Sequence, residues 1–344
     1  MEYLYQYLTF LAESVTVLVV VLLIVGAVAS AAARGRGSFE PGHIDTRSLN
    51  EHYDGLRDAL REAIHDEKSL KKLRKAEAKQ EKQRAKADDA KRGRTWVLRF
   101  DGDVQASAVR ALRNEISAIL AVAEEGDEVV ACIESPGGVV HGYGLAASQL
   151  LRIRTAGLRL VVAVDKVAAS GGYMMAVLAD RIVAAPFAII GSIGVVAQVP
   201  NVHRLLKRHD VDVEIITAGE FKRTLTVFGE NTDKAREKFV EEIEDVHAMF
   251  KEHVAEHRPS LDIAQVATGE AWYGRRALEL GLVDELGTSD AFLGDACAER
   301  DVIEVRWTEP RSPVERLTQQ AASAVATSFE RLVLRWRDRS NWTG

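Results

Sequence analysis

Cysteine is almost absent: Cys132 and Cys297 are the two in 344 residues. They stand far apart, and Cys132 falls in an apolar, strand-like run. They read as two buried free thiols rather than as a disulfide or a metal ligand set. Proline is scarce too, at 7 residues against 25 glycines, while 47% of the chain is apolar. That balance excludes a low-complexity or disordered chain and calls for a globular core. An excess of one charge is also missing. A net charge of −6 gives no reason to look for nucleic acid as a partner. The length suits two ordinary domains, or one domain with appendages.

The first 14 residues contain Glu2 and Glu13 but no Lys or Arg. The basic start of a cleaved signal peptide is therefore lacking. Residues 15–33 then run for 19 positions without a charge. A helix of that length measures roughly 28 Å at about 1.5 Å per residue, close to the ~30 Å hydrocarbon core of a bilayer. The small residues of AVASAAA (27–33) look like a cleavage site. Without the basic flank, however, the run reads as a retained single-pass anchor. Arg34, Arg36 and Arg47 follow it, which by the positive-inside rule favours a cytoplasmic location for the rest.

Residues 66–94 hold 12 Lys/Arg and 6 Asp/Glu, a local charge of +6. Strong helix formers fill this run, but its apolar stripe is thin. It reads as a solvated spacer, helical or disordered, or else as a juxtamembrane arm that meets anionic head groups. From Thr95 the texture changes. Strand-like runs at 95–104, 128–135, 158–167, 181–196 (one or two strands) and 211–217 are separated by helical patterns at 107–127, 142–157 and 173–180. That alternation predicts βαβ units and a mostly parallel sheet. Thr232 is placed to cap a long helix, and 312–336 carries apolar residues on one helical face. The expected domains are an N-terminal segment 1–33 with its anchor, a charged spacer 34–94, a catalytic domain 95–300, and a C-terminal amphipathic helix and tail 301–344.

Two glycine-bearing turns stand where strands give way to helices. ESPGGVV (134–140) puts Pro-Gly-Gly after a buried strand. Glycine N–H groups can approach a ligand closely and stabilise a developing oxyanion, although an ordinary turn would look the same. AASGGY (168–173) follows one βα unit later, and its Ser170 is either a helix cap or a nucleophile held on a sharp turn. Ligands of open parallel sheets bind beyond the carboxyl ends of the strands, so both turns should open on one edge. A serine hydroxyl needs a neighbouring base. Most of the nine histidines fall in charged or helical contexts. Lys222, in TAGEFKRTLT (217–226), has Phe221 and Arg223 beside it. A lysine serves as base only when neutral, which burial or nearby cations favour; otherwise this is a loop lysine.

Taken together, these motifs resemble the signal peptide peptidase A-type serine peptidases, and within them the SohB branch of bacterial inner-membrane proteins. The resemblance covers about residues 95–300 and rests on ESPGG (134–138), KVAASGGYMMA (166–176), IIGSIGVV (189–196), TAGEFKRTLT (217–226) and GLVDELG (281–287). It implies an α/β fold of repeated βαβ units related to the ClpP and crotonase group, preceded by the N-terminal transmembrane helix. It also implies a Ser–Lys dyad, with Ser170 as nucleophile and Lys222 as general base and acid. Gly138 and Gly171 carry over as oxyanion donors, and Ser192 as the residue that orients the lysine. Where the family often has Asn before S-P-G-G, this chain has Glu134. No metal or organic cofactor is implied. The expected partners are peptide or unfolded-protein substrates, membrane lipid at the anchor, and copies of the chain in a ring-like homo-oligomer. A bacterial inner-membrane location follows; the family allows a periplasmic catalytic domain, whereas the flanking arginines favour the cytoplasm. Two other readings use the same residues: a crotonase-like acyl-CoA enzyme with the glycine N–H groups on a thioester, and a catalytically silent scaffold assembled through 312–336.

Overall fold

The period-2 alternation of three apolar strands builds this protein around a two-faced sheet. In a computed structural model, residues 11, 15–16, 42–87 and 92–309 are described, and 44–307 form one unit. The other unit, 1–43 with 308–344, lies almost wholly outside the described residues. So do the expected anchor at 15–33 and the amphipathic helix at 312–336. Among the described residues, no helix is long and apolar enough to cross a membrane.

The chain begins with β1 (His43–Ser48), α1 (Leu49–Ile64), α2 (Glu67–Ala87), β2 (Arg94–Asp101) and α3 (Val109–Val122). There follow β3 (Glu128–Glu134), α4 (Val140–Thr155), β4 (Arg159–Val164), β5 (Val167–Ala169), α5 (Gly171–Ala176), β6 (Arg181–Ala184) and β7 (Ile189–Gly191). The last part holds α6 (His203–Arg208), α7 (Asp233–His257), α8 (Ile263–Val266), β8 (Ala271–Tyr273), α9 (Gly274–Glu279), β9 (Glu285–Leu286), α10 (Ser289–Glu299) and β10 (Asp301–Thr308). Seven strands form the main sheet in the order β1-β10-β2-β3-β4-β6-β9. Every pairing from β10 across to β9 is parallel. A second sheet, β5-β7-β8, is mixed: β5 and β7 run parallel, β7 and β8 antiparallel. The expectation of a mostly parallel α/β sheet is met.

Alternate residues of β2, β3 and β4 serve opposite faces. Leu98, Phe100, Ala131, Ile133, Val162 and Val164 pack with α3 and α4, whereas Val97, Val130, Cys132, Val161 and Ala163 face Leu49 of α1 and Leu293 of α10. Cys132 is a buried free thiol and Cys297 a partly exposed one. Within the stretch read as a spacer, the structure places β1 at the edge of the main sheet and α1 on this second face, through Leu49 and Tyr53. Asn50 fastens α1: its amide donates to the carbonyls of Cys297 and Arg300 (3.0 and 2.9 Å) and accepts from Val302 N–H (2.8 Å).

Two sequence expectations change. The run 158–167 is two strands in two sheets, broken at Asp165, whose carboxylate accepts the N–H and hydroxyl of Ser289 (2.7 and 2.5 Å). The run 211–217 is not a strand. Its Val and Ile residues alternate as strand residues do, but among the described residues no neighbouring strand completes their backbone ladder, and Ile216 is 91% exposed. Thr232 does cap α7, accepting Ala235 N–H at 3.2 Å.

Polar groups lock the amino end of the sheet. Asp127 accepts the N–H groups of Arg94 and Glu124 (both 3.0 Å) and the Trp96 indole (3.1 Å). Burial pushes this carboxyl up. The N–H groups of Glu124 and Arg94, the indole and the Arg94 guanidinium outweigh burial and hold it below the usual carboxylate range. A carboxylate depressed in the folded state stabilises above its unfolded pKa, and that contribution is lost as pH falls through the folded value. Asp127→Ala is expected to cost about 3 kcal/mol at neutral pH, by urea unfolding of the full chain. The difference from wild type should close as the pH drops below about 4.

Candidate active site

β3 reaches the carboxyl edge of the main sheet and then hands its backbone to the second sheet. Ser135 N–H donates to Val167 O (2.8 Å) and Ala169 N–H to Ser135 O (3.0 Å), a parallel bridge between Ser135 and Ala168. That bridge sets the Pro-Gly-Gly turn beside the Ala-Ser-Gly-Gly turn. The two turns expected on one edge are in contact.

Ser170 closes β5 with φ +50° and ψ −117°, a conformation that costs a non-glycine residue of order 1–3 kcal/mol. Its backbone is held on both sides: N–H to Gly191 O (2.8 Å), and its carbonyl accepting Met174 N–H (2.9 Å). The side chain caps nothing. Ser170 is half-buried, and its Oγ makes no hydrogen bond among the described residues. A cap is meant to satisfy the first N–H groups of a helix, so the geometry opposes the capping alternative.

Gly171 and Gly138 are glycines by necessity. A Cβ on Gly171 would lie 2.2 Å from Tyr143 Cγ, and one on Gly138 would lie 2.1 Å from Val104 O. Neither N–H donates to an acceptor among the described residues, so two unpaired donors flank the serine. Between them stands Gly137, which the sequence reading passed over. Its φ is +91°, and a Cβ there would fall 2.7 Å from both Gly171 N and Ser170 Cβ. The Gly-Gly pair was the available signal, but which glycine the second turn crowds is a tertiary fact.

Ser192 comes to the same place. β5 and β7 pair in register up to Ala169 with Gly191, which sets Ser170 and Ser192 side by side at the strand ends. Ser192 shares the positive φ, at +51°. Lys222 is not brought into contact. It lies in an exposed loop after Gly219, and its ammonium makes no hydrogen bond or ion pair among the described residues. Cations crowd this loop: the ammonium groups of Lys234 and Lys238 lie 5.7 Å from the ring of Phe221. Glu134 pairs with Lys166 at 2.9 Å. His253 and His257 are engaged elsewhere, with the carbonyls of Met174 and His253 respectively (2.9 Å each).

Residues 2–150 match the N-terminal region of peptidase family S49, and residues 152–302 match peptidase family S49 itself. The chain belongs to this family. Among its relatives is "Probable protease SohB" of Haemophilus influenzae, 48% identical over 333 residues and covering 94% of both chains. Its counterpart in Buchnera aphidicola subsp. Acyrthosiphon pisum is 56% identical over 223 residues, covering 65% of this chain and 66% of its own. As an S49 member the chain is a serine peptidase acting on peptide substrates.

The S49 turn geometry yields a paired expectation. Gly137→Ala must strain both turns, and peptide cleavage should fall by roughly 100-fold. Gly144→Ala meets nothing within 4 Å. It should leave cleavage unchanged and raise the unfolding free energy by about 0.5–1 kcal/mol. Cleavage rates and urea midpoints of the two variants check this.

Proposed function

We propose that this S49 peptidase is a membrane-anchored serine endopeptidase with Ser170 as nucleophile and Lys222 as general base. The observation that carries the reading is the strained Ser170, its hydroxyl unpaired among the described residues and two unpaired N–H groups beside it. In the proposed cycle, the 217–226 loop first carries Lys222 to Ser170, and Lys222 Nζ then takes the hydroxyl proton as Ser170 Oγ bonds to the scissile carbonyl carbon. The carbonyl oxygen becomes an oxyanion, received by the N–H groups of Gly138 and Gly171. As the C–N bond breaks, the lysine returns the proton to the leaving amine. Water, deprotonated by the same lysine, then hydrolyses the acyl-enzyme. Ser192, beside Ser170 at the strand ends, is the group proposed to orient the lysine.

The wider reading rests on the same residues. The paired turns on repeated βαβ units suit a fold of the ClpP and crotonase group. The uncharged run at 15–33 suits a single-pass anchor in a bacterial inner membrane. Such an anchor would give access to signal-peptide remnants or unfolded membrane-associated polypeptides. A ring-like homo-oligomer suits the apolar residues left bare between β7 and α7, where Val196 and Ile216 are each 91% exposed. Lys222 lies on that same stretch, and covering it in a ring would favour the neutral lysine that the chemistry needs.

Ser170→Ala and Lys222→Ala are each expected to abolish cleavage of an unstructured peptide while the size of the assembly, read by sedimentation, stays constant. Substantial cleavage by either variant would overturn the dyad. Ser170→Gly should also be inactive yet more stable, by about 0.5–1 kcal/mol, because glycine adopts the positive φ freely. A loss of stability instead would show that the serine serves the fold.

A further inference from the structure

The turn that presents Gly138 is held from beneath by a chain of buried hydroxyls. Ser135 is fully buried, and its Oγ accepts Gly137 N–H at 3.1 Å and lies 2.5 Å from Tyr143 Oη. Tyr143, equally buried, donates to Asp103 O at 2.8 Å. A carbonyl only accepts, so the phenol's one proton goes to Asp103, and the Ser135 hydroxyl must donate to the phenol. The bonds therefore run in one direction, from Gly137 N–H through Ser135 and Tyr143 to the Asp103 carbonyl. Aligned chains of this kind strengthen one another in a low-dielectric interior.

Both ends of the chain grip the backbone around Gly138. One end is the preceding peptide, at Gly137. The other is the loop 103–104, whose Val104 carbonyl accepts Val139 N–H at 2.8 Å and would clash at 2.1 Å with any Cβ on Gly138. The same two side-chain residues also bound the second turn. The Tyr143 ring leaves no room for a Cβ on Gly171, and Ser135 O none for one on Gly172 (2.2 and 2.6 Å). Packing alone does not call for these hydroxyls, since burying one costs free energy unless it is bonded. Their partners among the described residues are each other and the two backbone segments around Gly138.

We propose that Ser135 and Tyr143 are positioning residues, which hold the N–H groups of Gly138 and Gly171 on one point in space. The proposal rests on Ser170 as nucleophile and on those two glycines as oxyanion donors. Its consequence is kinetic. The oxyanion exists in the transition state and not in the bound substrate, so loosening its donors lowers kcat and spares KM.

The test uses the full chain, an unstructured peptide substrate and the variants Tyr143→Phe, Ser135→Ala and their double. Each single variant is expected to lose roughly 10- to 100-fold in kcat, with KM held within about twofold. A peptide aldehyde, whose hemiacetal with Ser170 carries an oxyanion, should bind weaker by the same factor. A peptide amide of that sequence, with no reactive carbonyl, should bind as to wild type. The double variant should be no worse than Ser135→Ala, because one chain is broken once. Full kcat in Tyr143→Phe with a lowered melting temperature would overturn the proposal, as would equal weakening of aldehyde and amide. If Ser135→Ala does not fold, Tyr143→Phe carries the test, since it keeps the ring under Gly171 and loses the hydroxyl alone. Ser170→Ala separates the levels. If it still cleaves, nucleophile and positioning fall together; if it is inactive while Tyr143→Phe runs at full rate, the positioning role alone falls.

Discussion

The site depends on a backbone bridge of two hydrogen bonds, where β3 leaves the main sheet and Ser135 pairs across to Val167 and Ala169. Without it, the two glycine turns would be separate loops at the ends of neighbouring strands. With it, Gly137 is driven against Gly171, and neither can carry a side chain. Ser170 is then fixed by Gly191 O on one side and Met174 N–H on the other. A conformation that costs an isolated serine free energy persists because its surroundings over-determine it. Strain, unpaired donors and an unpaired hydroxyl at one spot are the physical basis for assigning chemistry there.

The two edges of the sheet are built on opposite rules. At the amino edge Asp127 gathers the N–H groups of Arg94 and Glu124 and the Trp96 indole, and Arg300 adds bonds to Thr95 Oγ1, Arg94 O and Gly126 O (2.8, 2.8 and 2.6 Å). At the carboxyl edge, the N–H groups of Gly138 and Gly171 have no acceptor among the described residues, and two serines take positive φ. Strands buried on both faces make this division workable, because a stiff core lets one edge store strain while the other supplies cohesion. A parallel sheet also sends all its strand ends, with their turns, to the same side.

Much of the fold was legible. Apolar runs of strand length between helical patterns marked β2, β3 and β4, because a strand covered on both faces must be apolar throughout. The legible parts of the site were those with a local signature: a serine between a strand and two glycines, and a Gly-Gly pair after Pro. Ser135 and Tyr143 had none. A serine before proline and a tyrosine in an apolar helix are unremarkable until Asp103, 40 positions away from Tyr143, is seen to accept the phenol's proton. The misreadings have the same root. Period-2 apolarity at 211–217 reports a chain able to be a strand, and a strand still needs a neighbour.

The sequence by itself determined the alternation of strands and helices, the apolar faces, the glycine positions, the long uncharged run near the start and the family to which the chain belongs. These follow from residue chemistry at short range, where backbone preference and burial act on each segment alone. The tertiary structure decided which glycine is crowded and which N–H groups go unpaired. It also decided that the Ser170 side chain caps nothing, and that Ser192 stands beside it while Lys222 lies on an exposed loop. Those are properties of contacts between distant segments, and one residue's chemistry does not specify what another segment presses against it.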